Sequence, residues 1–423
     1  MAIKLVIFCF IMSLIGRVTE KKVVNPITIF YMLWGIILYL YSLNLYGLMS
    51  ASDSTLAIMG YGLVSFAVGY YIVAILNKNL RLDNVNISNS NRKDNYVLSN
   101  KVLYLFLVIC IAFTGIQAIN NARYFLSEGF GFLNTVRMNV TSNTENGLMN
   151  VIGNTIINPF LMALQPIVAC NFLLGDRNKK LFIGDAVLLL LKTIADGSRI
   201  YILYIIFHFI VIYIISHGKQ DKNNTRNKQL IRWVGIVGLL LLILTTFSRV
   251  NTGLTKTSYF YFSMEPYMFD IWSNQVNNSG LIGYGLASTN GFSLFIFYLL
   301  HNLGLMPNYP QFWNSINLML KRILTEWQMI STGKTIANAY VSFFWYFYLD
   351  GRIFGVVFGS FIYGSILNRA YMKAFKNNTI RNLCIYSLLA QGLLMTFVRF
   401  PFADLTYAMA FLMILFFTRG WKR

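Results

Sequence analysis

The sequence predicts an all-α fold, a polytopic helical membrane protein of about 11–13 transmembrane helices with a large extracytoplasmic loop region. Three observations carry this reading. Of 423 residues, 56% are hydrophobic and only 12% charged, whereas a soluble domain carries roughly 25% charged residues. Apolar runs long enough to cross a bilayer recur along the whole chain. Short loops rich in Lys and Arg separate them and hold most of the positive charge, which nets to +20.

The runs fall at residues 2–16, 27–49, 55–76, 97–119, 151–174, 181–196, 199–216, 231–248, 353–370, 382–399 and 402–418. Two further segments, 287–304 and 336–349, are ambiguous, because the first holds Asn290, His301 and Asn302 and the second is short and aromatic. Residues 3–16 are apolar, but Arg17, Lys21 and Lys22 follow where a signal-peptide cleavage site would lie, so this stretch reads as a first helix. Alternate loops are strongly basic, among them those around Arg17, Lys78 to Lys101, Arg177 to Lys180, Lys219 to Arg232 and Arg369 to Arg381. The positive-inside rule places these in the cytoplasm and the nearly neutral alternate loops outside. The chain therefore reads as a single integral membrane domain, 1–423, with an extracytoplasmic cap at 249–352.

Composition also excludes several classes. Basic charge points to nucleic acid when it gathers on one folded face; here it flanks apolar runs, so no nucleic acid is expected as a partner. Cys9, Cys110, Cys170 and Cys384 all lie in apolar segments without a C-x-x-C or a Cys/His cluster, which predicts neither a disulfide framework nor a metal site. No D-x-D metal motif, Walker loop, H-E-x-x-H or G-x-S-x-G is present beside the candidate residues. A nucleotide-using or metal-dependent enzyme is not expected, and no cofactor is.

The stretch 249–352 interrupts the apolar pattern with aromatics, amides, glycines and a few charges. Its length without evident regular structure marks it as functional, and its many Tyr, Phe and Trp residues argue against disorder. The outward cations are few, which makes each informative, because the charge rule disfavours them there. On a helical reading Lys192, Asp196 and Arg199 share one face at i, i+4 and i+7. Such a group would hold a phosphate at headgroup depth or pin a hairpin as an interfacial ion pair. Arg249 closes a span, Arg123 and Arg137 lie in the first outer loop, and Lys256, Arg322, Lys334, Arg352 and Arg399 complete the set. The planar fork of arginine suits a diphosphate. Tyr267 and Tyr340 belong to a group of aromatics that suit sugar stacking and an interfacial belt alike. Glu265, Asp270, His301, Glu326 and Asp350 are the candidate bases. Asp350, in front of a helix beginning near Ile353, would either cap that helix or act as a base or charge partner; Asp-Gly ahead of a helix favours the cap.

Two motifs resemble a family. Asn338-Ala-Tyr340-Val-Ser-Phe343, an aromatic run, then Asp350-Gly351-Arg352-Ile-Phe-Gly355 and a span with Gly359 and Gly364 is similar to the late signature of bacterial oligosaccharide repeat-unit polymerases of the Wzy type. That pattern is roughly N-x-Y-T-x-F, aromatics, D-F-G-x-x-G and a glycine-bearing helix. Val341 stands at the Thr, and Gly351-Arg352 stand where Phe-Gly is usual. The Asp196-Gly-Ser-Arg199 run resembles the family's glycine-serine-arginine turn.

The resemblance implies a GT-C-like inner-membrane glycosyltransferase. Such an enzyme moves a glycan from an undecaprenyl-diphosphate-linked donor onto a lipid-linked acceptor repeat unit at the outer face. Membrane lipids and a chain-length regulator protein would be partners, and the polymer an O-antigen or capsular polysaccharide. Arg199, Arg249, Asp350 and Glu265 are then expected to carry the chemistry. Arg123, Arg137, Lys192, Lys256, Arg352, Tyr267 and Tyr340 are expected to hold the substrates. A lipid-linked oligosaccharide flippase and an O-antigen ligase are the alternatives.

Overall fold

A computed structural model describes residues 1–20, 25–79, 100–128, 136, 151–175, 177–198, 200–217 and 254–419. In chain order the elements are α1 (Ala2–Glu20), α2 (Pro26–Ser42), α3 (Asp53–Asn79), α4 (Asn100–Glu128), α5 (Asn158–Leu174), α6 (Lys179–Asp196) and α7 (Ile200–His217). They continue with α8 (Leu254–Ser263), α9 (Glu265–Ser279), α10 (Asn290–Asn302), α11 (Gln311–Thr325), β1 (Gln328–Met329), β2 (Ile336–Ala337), α12 (Ser342–Asn377), α13 (Ile380–Leu394) and α14 (Leu405–Phe417). Ala2–Glu20, Asp53–Leu76, Lys101–Tyr124, Gly153–Leu174 and Ser342–Asn377 are long and apolar enough to cross a membrane. Each apolar run that reaches the described residues contains a helix, although 27–49 leaves it at Ser42 and 382–399 at Leu394; 231–248 lies outside the described residues.

Contacts gather the chain into two compact units. One comprises Met1–Ser88, Gly253–Met372 and Gly392–Ala408, the other Asn89–Thr252, Lys373–Gln391 and Met409–Arg423. In the second unit Asn121 Nδ2 donates to the Ala195 carbonyl at 2.7 Å, joining α4 to α6, and Gln165 Nε2 donates to the Tyr201 carbonyl at 3.0 Å, joining α5 to α7. A fully buried His208 on α7 shares a 2.7 Å hydrogen bond with Ser387 of α13. Buried polar pairs of this kind fasten helices whose remaining contacts are apolar.

In the first unit Asn25 caps α2 by accepting from Thr28 N at 2.8 Å, and Pro26 occupies the first turn, where a missing N–H is harmless. Phe30 of α2 stacks on Phe66 of α3 with centroids 3.8 Å apart, and Tyr31 Oη donates to the Leu63 carbonyl at 2.6 Å. α3 then packs on α12 through small residues. A Cβ on Gly69 would strike the Phe361 carbonyl, and one on Gly364 would strike the Phe66 carbonyl. Ser65 and Ser365 add hydrogen bonds to the carbonyls of Val357 and Gly69, at 2.6 and 3.0 Å. Close backbone approach through small residues is how apolar helices associate without a hydrophobic driving force.

α12 is two limbs rather than one rod. Gly351 and Arg352 leave helical geometry, Arg352 with φ 54 and ψ −138. The chain reverses there. Phe343 on the first limb lies 6.0 Å from Tyr363 on the second, Phe347 packs on Gly359, and the Phe347 carbonyl faces Gly355. Residues 342–350 thus lie antiparallel to 353–377, and only the second limb, about 37 Å long, has the length of a span.

Three sequence expectations change. The 249–352 stretch is regular over most of its described part, as α8 to α11, the β1–β2 hairpin and the first limb of α12. Segment 287–304 becomes α10, about 20 Å long and too short to cross, and 336–349 becomes a strand followed by the short limb. Segment 382–399 stops being helical at Leu394, because Phe343 N donates to the Thr396 carbonyl at 2.7 Å and Val341 N to the Val398 carbonyl at 3.3 Å.

The α3–α12 contact predicts a specific sensitivity. Gly364→Leu must push the two backbones apart, an overpacking cost of about 1–3 kcal/mol. It should lower the detergent-solubilised melting temperature and the membrane level of the protein, whereas Ile362→Leu, at an exposed position of the same limb, should leave both unchanged.

Candidate functional site

The least regular backbone of the first unit lies where the α12 reversal, the turn 280–289 and the segment 395–404 approach one another. Asp350 organises it. Its Oδ1 accepts from Ala287 N at 2.8 Å and its Oδ2 from Ser288 N at 2.9 Å. The adjacent carbonyls of Leu349 and Asp350 accept from Gly283 N and Tyr284 N at 2.8 and 3.0 Å. Four hydrogen bonds therefore sew the end of the first limb to the start of α10. Gly283 is required for the approach, because a Cβ there would strike Asp350 Oδ1. Asp350 thus holds a distant turn, and does not cap the helix that follows it, the role its sequence context favours.

Arg352 secures the same reversal from the other side. Its Nη2 donates to the Val276 carbonyl near the end of α9 at 3.0 Å, and its guanidinium lies 5.6 Å from the Tyr348 ring. Tyr348 Oη in turn donates to Asn277 Oδ1 at 2.9 Å. Beside the clamp a groove of about 350 Å³ is lined by Gly283, Tyr284, Leu286, Gln311, Phe312 and Ser315, among others.

Segment 395–404 carries the charge. Arg399 Nη1 binds Asp404 Oδ2 at 3.1 Å, with both side chains about one third exposed. Asp404 Oδ1 accepts from Tyr407 N at 3.1 Å and so caps α14. Tyr346 of the first limb is buried within electrostatic reach of both charges. Tyr340 stands beside this segment, 6.0 Å from Phe397 and 5.4 Å from Tyr261. The Trp34 indole donates to Thr396 Oγ1 at 3.3 Å.

The other expected residues are dispersed. Glu265 opens α9, about 16 Å along the helix from Val276 and the Arg352 contact. It is fully buried, and neither carboxylate oxygen has a hydrogen-bond partner among the described residues. Burial therefore holds its pKa well above the usual carboxylate value. Tyr267 donates to Met49 Sδ at 2.9 Å. Asp270 accepts from Ser52 at 2.6 Å and from Thr55 at the start of α3. Lys256 is exposed, 5.9 Å from the Phe260 ring. Arg322 is an exposed ion pair with Glu326.

In the second unit Lys192 is buried and paired with Asp196 at 2.8 Å. Gly197, with φ 61, ends α6 immediately afterwards, so the helical face expected to continue to Arg199 is interrupted. Arg123 is exposed and 5.5 Å from the Tyr124 ring. Arg137, Arg199 and Arg249 lie outside the described residues. Tyr346 belongs to the aromatic group expected to suit sugar stacking or an interfacial belt, whereas Asp404 is not among the candidate site residues of the sequence. Asp404 was legible as an Asp immediately before an apolar helical run, the ordinary signal of a helix start.

The chain matches no protein-family model, no curated protein and no solved structure. The class that fold and site define is an all-α protein with helices suited to a membrane and a clamped helix reversal beside an Arg–Asp pair.

Two measurements test this geometry. Asp350→Asn keeps the shape but has one acceptor for two N–H groups, and its NH₂ would face a donor. Leaving one buried N–H unpaired costs about 1–3 kcal/mol, so its melting temperature should fall. Burial keeps Glu265 protonated in the folded chain over a pH range in which the unfolded chain, near its ordinary pKa, has already ionised it. As pH rises from that ordinary value towards the raised one, the unfolded state holds fewer protons. Stability should then fall, by at most about 1.4 kcal/mol per pH unit. Glu265→Gln should flatten this dependence and raise the melting temperature at neutral pH.

Proposed function

We propose that the chain is a membrane glycosyltransferase that polymerises undecaprenyl-diphosphate-linked repeat units into an O-antigen or capsular polysaccharide at the outer face of the bacterial inner membrane. The observation that carries this reading is the physical meaning of the D-x-G-x-x-G positions. Asp350 clamps a distant loop, position 352 has the positive φ that glycine favours, and Gly355 admits the returning limb. The segment that resembles the Wzy-type motif, with Gly351-Arg352 where Phe-Gly is usual, thus coincides with a helix reversal that a simple span does not need. Irregular backbone within an apolar helical body is tolerated where it is packed in protein or lines a cavity, and binding sites are commonly built there.

In this reading about eleven transmembrane helices remain, since 287–304 and 336–349 do not cross, the basic loops are cytoplasmic and 249–352 forms the extracytoplasmic cap. Arg399 serves as a cation for the leaving diphosphate, with Asp404 setting its orientation. Preorganised cations stabilise charge as it develops on a leaving group. The groove beside the clamp, with Tyr284 and Phe312 exposed next to Gln311 and Ser315, suits a glycan through ring stacking and amide or hydroxyl hydrogen bonds.

Deleting the gene should leave single repeat units on the lipid carrier. Undiminished polymer on the carrier would instead mark a ligase, and material trapped on the inner face a flippase. At the residue level, Arg399→Ala should lower polymer synthesis by about 30- to 1000-fold at unchanged protein level, the equivalent of losing roughly 2–4 kcal/mol of transition-state stabilisation. Arg399→Lys should recover only part of it, because the fork is lost. Full polymer from Arg399→Ala would remove this residue from the site.

A further inference from the structure

The α10–α11 pair forms an antiparallel hairpin that exposes an apolar tip. Trp313 Nε1 donates to Asn290 Oδ1 at 3.1 Å, Phe297 lies 4.7 Å from the Trp313 ring, and His301 lies 4.8 Å from the Tyr309 ring. Within α10, N-G-F-S-L-F-I-F-Y-L-L-H-N, only Asn290 and Gly291 are buried. A helix this apolar needs a nonaqueous neighbour along most of its surface. Ile296 and Leu299 are exposed on α10, and at the tip Leu303 is 62% and Leu305 71% exposed. Half-buried Tyr309 follows behind the tip, Trp313 is buried against α10, and Lys321 and Arg322, the latter paired with Glu326, stand about 13 Å beyond Trp313 along α11.

We infer that this hairpin dips its aliphatic tip into the lipid bilayer as a monotopic arm. Aliphatic tip, aromatic ring and cations occur in the order in which a bilayer presents hydrocarbon, interface and anionic headgroups. The arm does not cross, since α10 is about 20 Å long against a hydrocarbon core of about 30 Å. Lipid is favoured over a protein partner by this ordering and by the same class of exposed aliphatic side chains on the long helices of the unit, such as Ile3 and Ile7 on α1 and Phe358 on α12. The inference rests on the membrane reading and is independent of the transferase reading.

The test uses the full chain in proteoliposomes, with single cysteines introduced at Leu305, at Phe358 and at exposed, polar Asn278; the four native cysteines are buried. A fluorophore on Leu305→Cys should be quenched by brominated phosphatidylcholine to a similar extent as one on Phe358→Cys. Leu305→Cys should also react with a charged maleimide about tenfold or more slowly than Asn278→Cys, as expected for a side chain in hydrocarbon. Fast reaction without quenching would place the tip in water and overturn the inference. Slow reaction without quenching would mean that a second copy or another protein covers it, which overturns it equally. Loss of quenching at Phe358 as well would remove the membrane reading itself, whereas polymer synthesis would bear on neither outcome.

Discussion

One carboxylate holds the irregular part of this molecule in place. Asp350 accepts from two backbone N–H groups in a segment 63 residues earlier in the chain. Any turn that interrupts helices in apolar surroundings exposes backbone groups, and each buried donor left unpaired costs free energy comparable to a lost hydrogen bond. An ionised carboxylate with two acceptor oxygens satisfies a pair of donors at once, and charge-assisted bonds are stronger than neutral ones. With the carbonyls of Leu349 and Asp350 binding the same loop, the start of α10, the end of the first limb and the neighbouring groove become one packed unit. Without the clamp, the turn 280–289 has little else to fix it, for several of its residues are exposed and two of its glycines have positive φ.

The clamp is useful only because the two limbs of α12 lie against each other, and glycine permits that. Gly355 and Gly359 receive the carbonyl and ring of Phe347, while Gly364 receives α3 on the same limb. The second limb thus serves two partners with one set of small residues. The start of the first limb and the residue before it in turn stop α13 early, because the N–H groups of Phe343 and Val341 bind the carbonyls of Thr396 and Val398. The break after Leu394 brings Arg399 and Asp404 together at a helix start. Backbone pairing between limb and segment, glycine packing and the Asp350 clamp are therefore consecutive parts of one arrangement.

Much of this fold was legible where the information is local. Apolar runs marked the helices because each must match an apolar environment along its own length. The Lys192–Asp196 pair followed from i, i+4 spacing, and Asp196-Gly197 contained the helix stop that separates it from Arg199. What was not legible depends on distant partners. The run 382–399 remains largely apolar through Val398, so hydropathy cannot see that α13 ends at Leu394; Val341 and Phe343 decide it. Asp350 looked like a cap of the next helix because local grammar names only local donors. The reversal that turns it towards Ala287 and Ser288 arises from contacts between Phe347 and two glycines. Glu265 stood out as a carboxylate among aromatics, yet its full burial on one face of α9 follows from packing that sequence does not reveal.

Arg352 shows how such an arrangement tolerates a departure from the motif it resembles. A non-glycine residue at its φ and ψ carries backbone strain on the order of 1–3 kcal/mol. Glycine would relieve that strain, but it would also remove the hydrogen bond to the Val276 carbonyl and the contact over Tyr348. A hydrogen bond from a charged donor contributes about 1.5–3 kcal/mol and a cation–π contact about 0.5–2 kcal/mol, so the side chain offsets the strain of its own backbone. The reversal is thus held by a strap to α9 where glycine would hold it by freedom of φ. One side of the fork, Nη2, is committed to that strap, while Nη1 is buried without a partner among the described residues. The guanidinium therefore acts first on the position of the reversal, whereas Arg399, about one third exposed beside Asp404, is the cation of this region better placed to meet an anion under the proposed transferase reading.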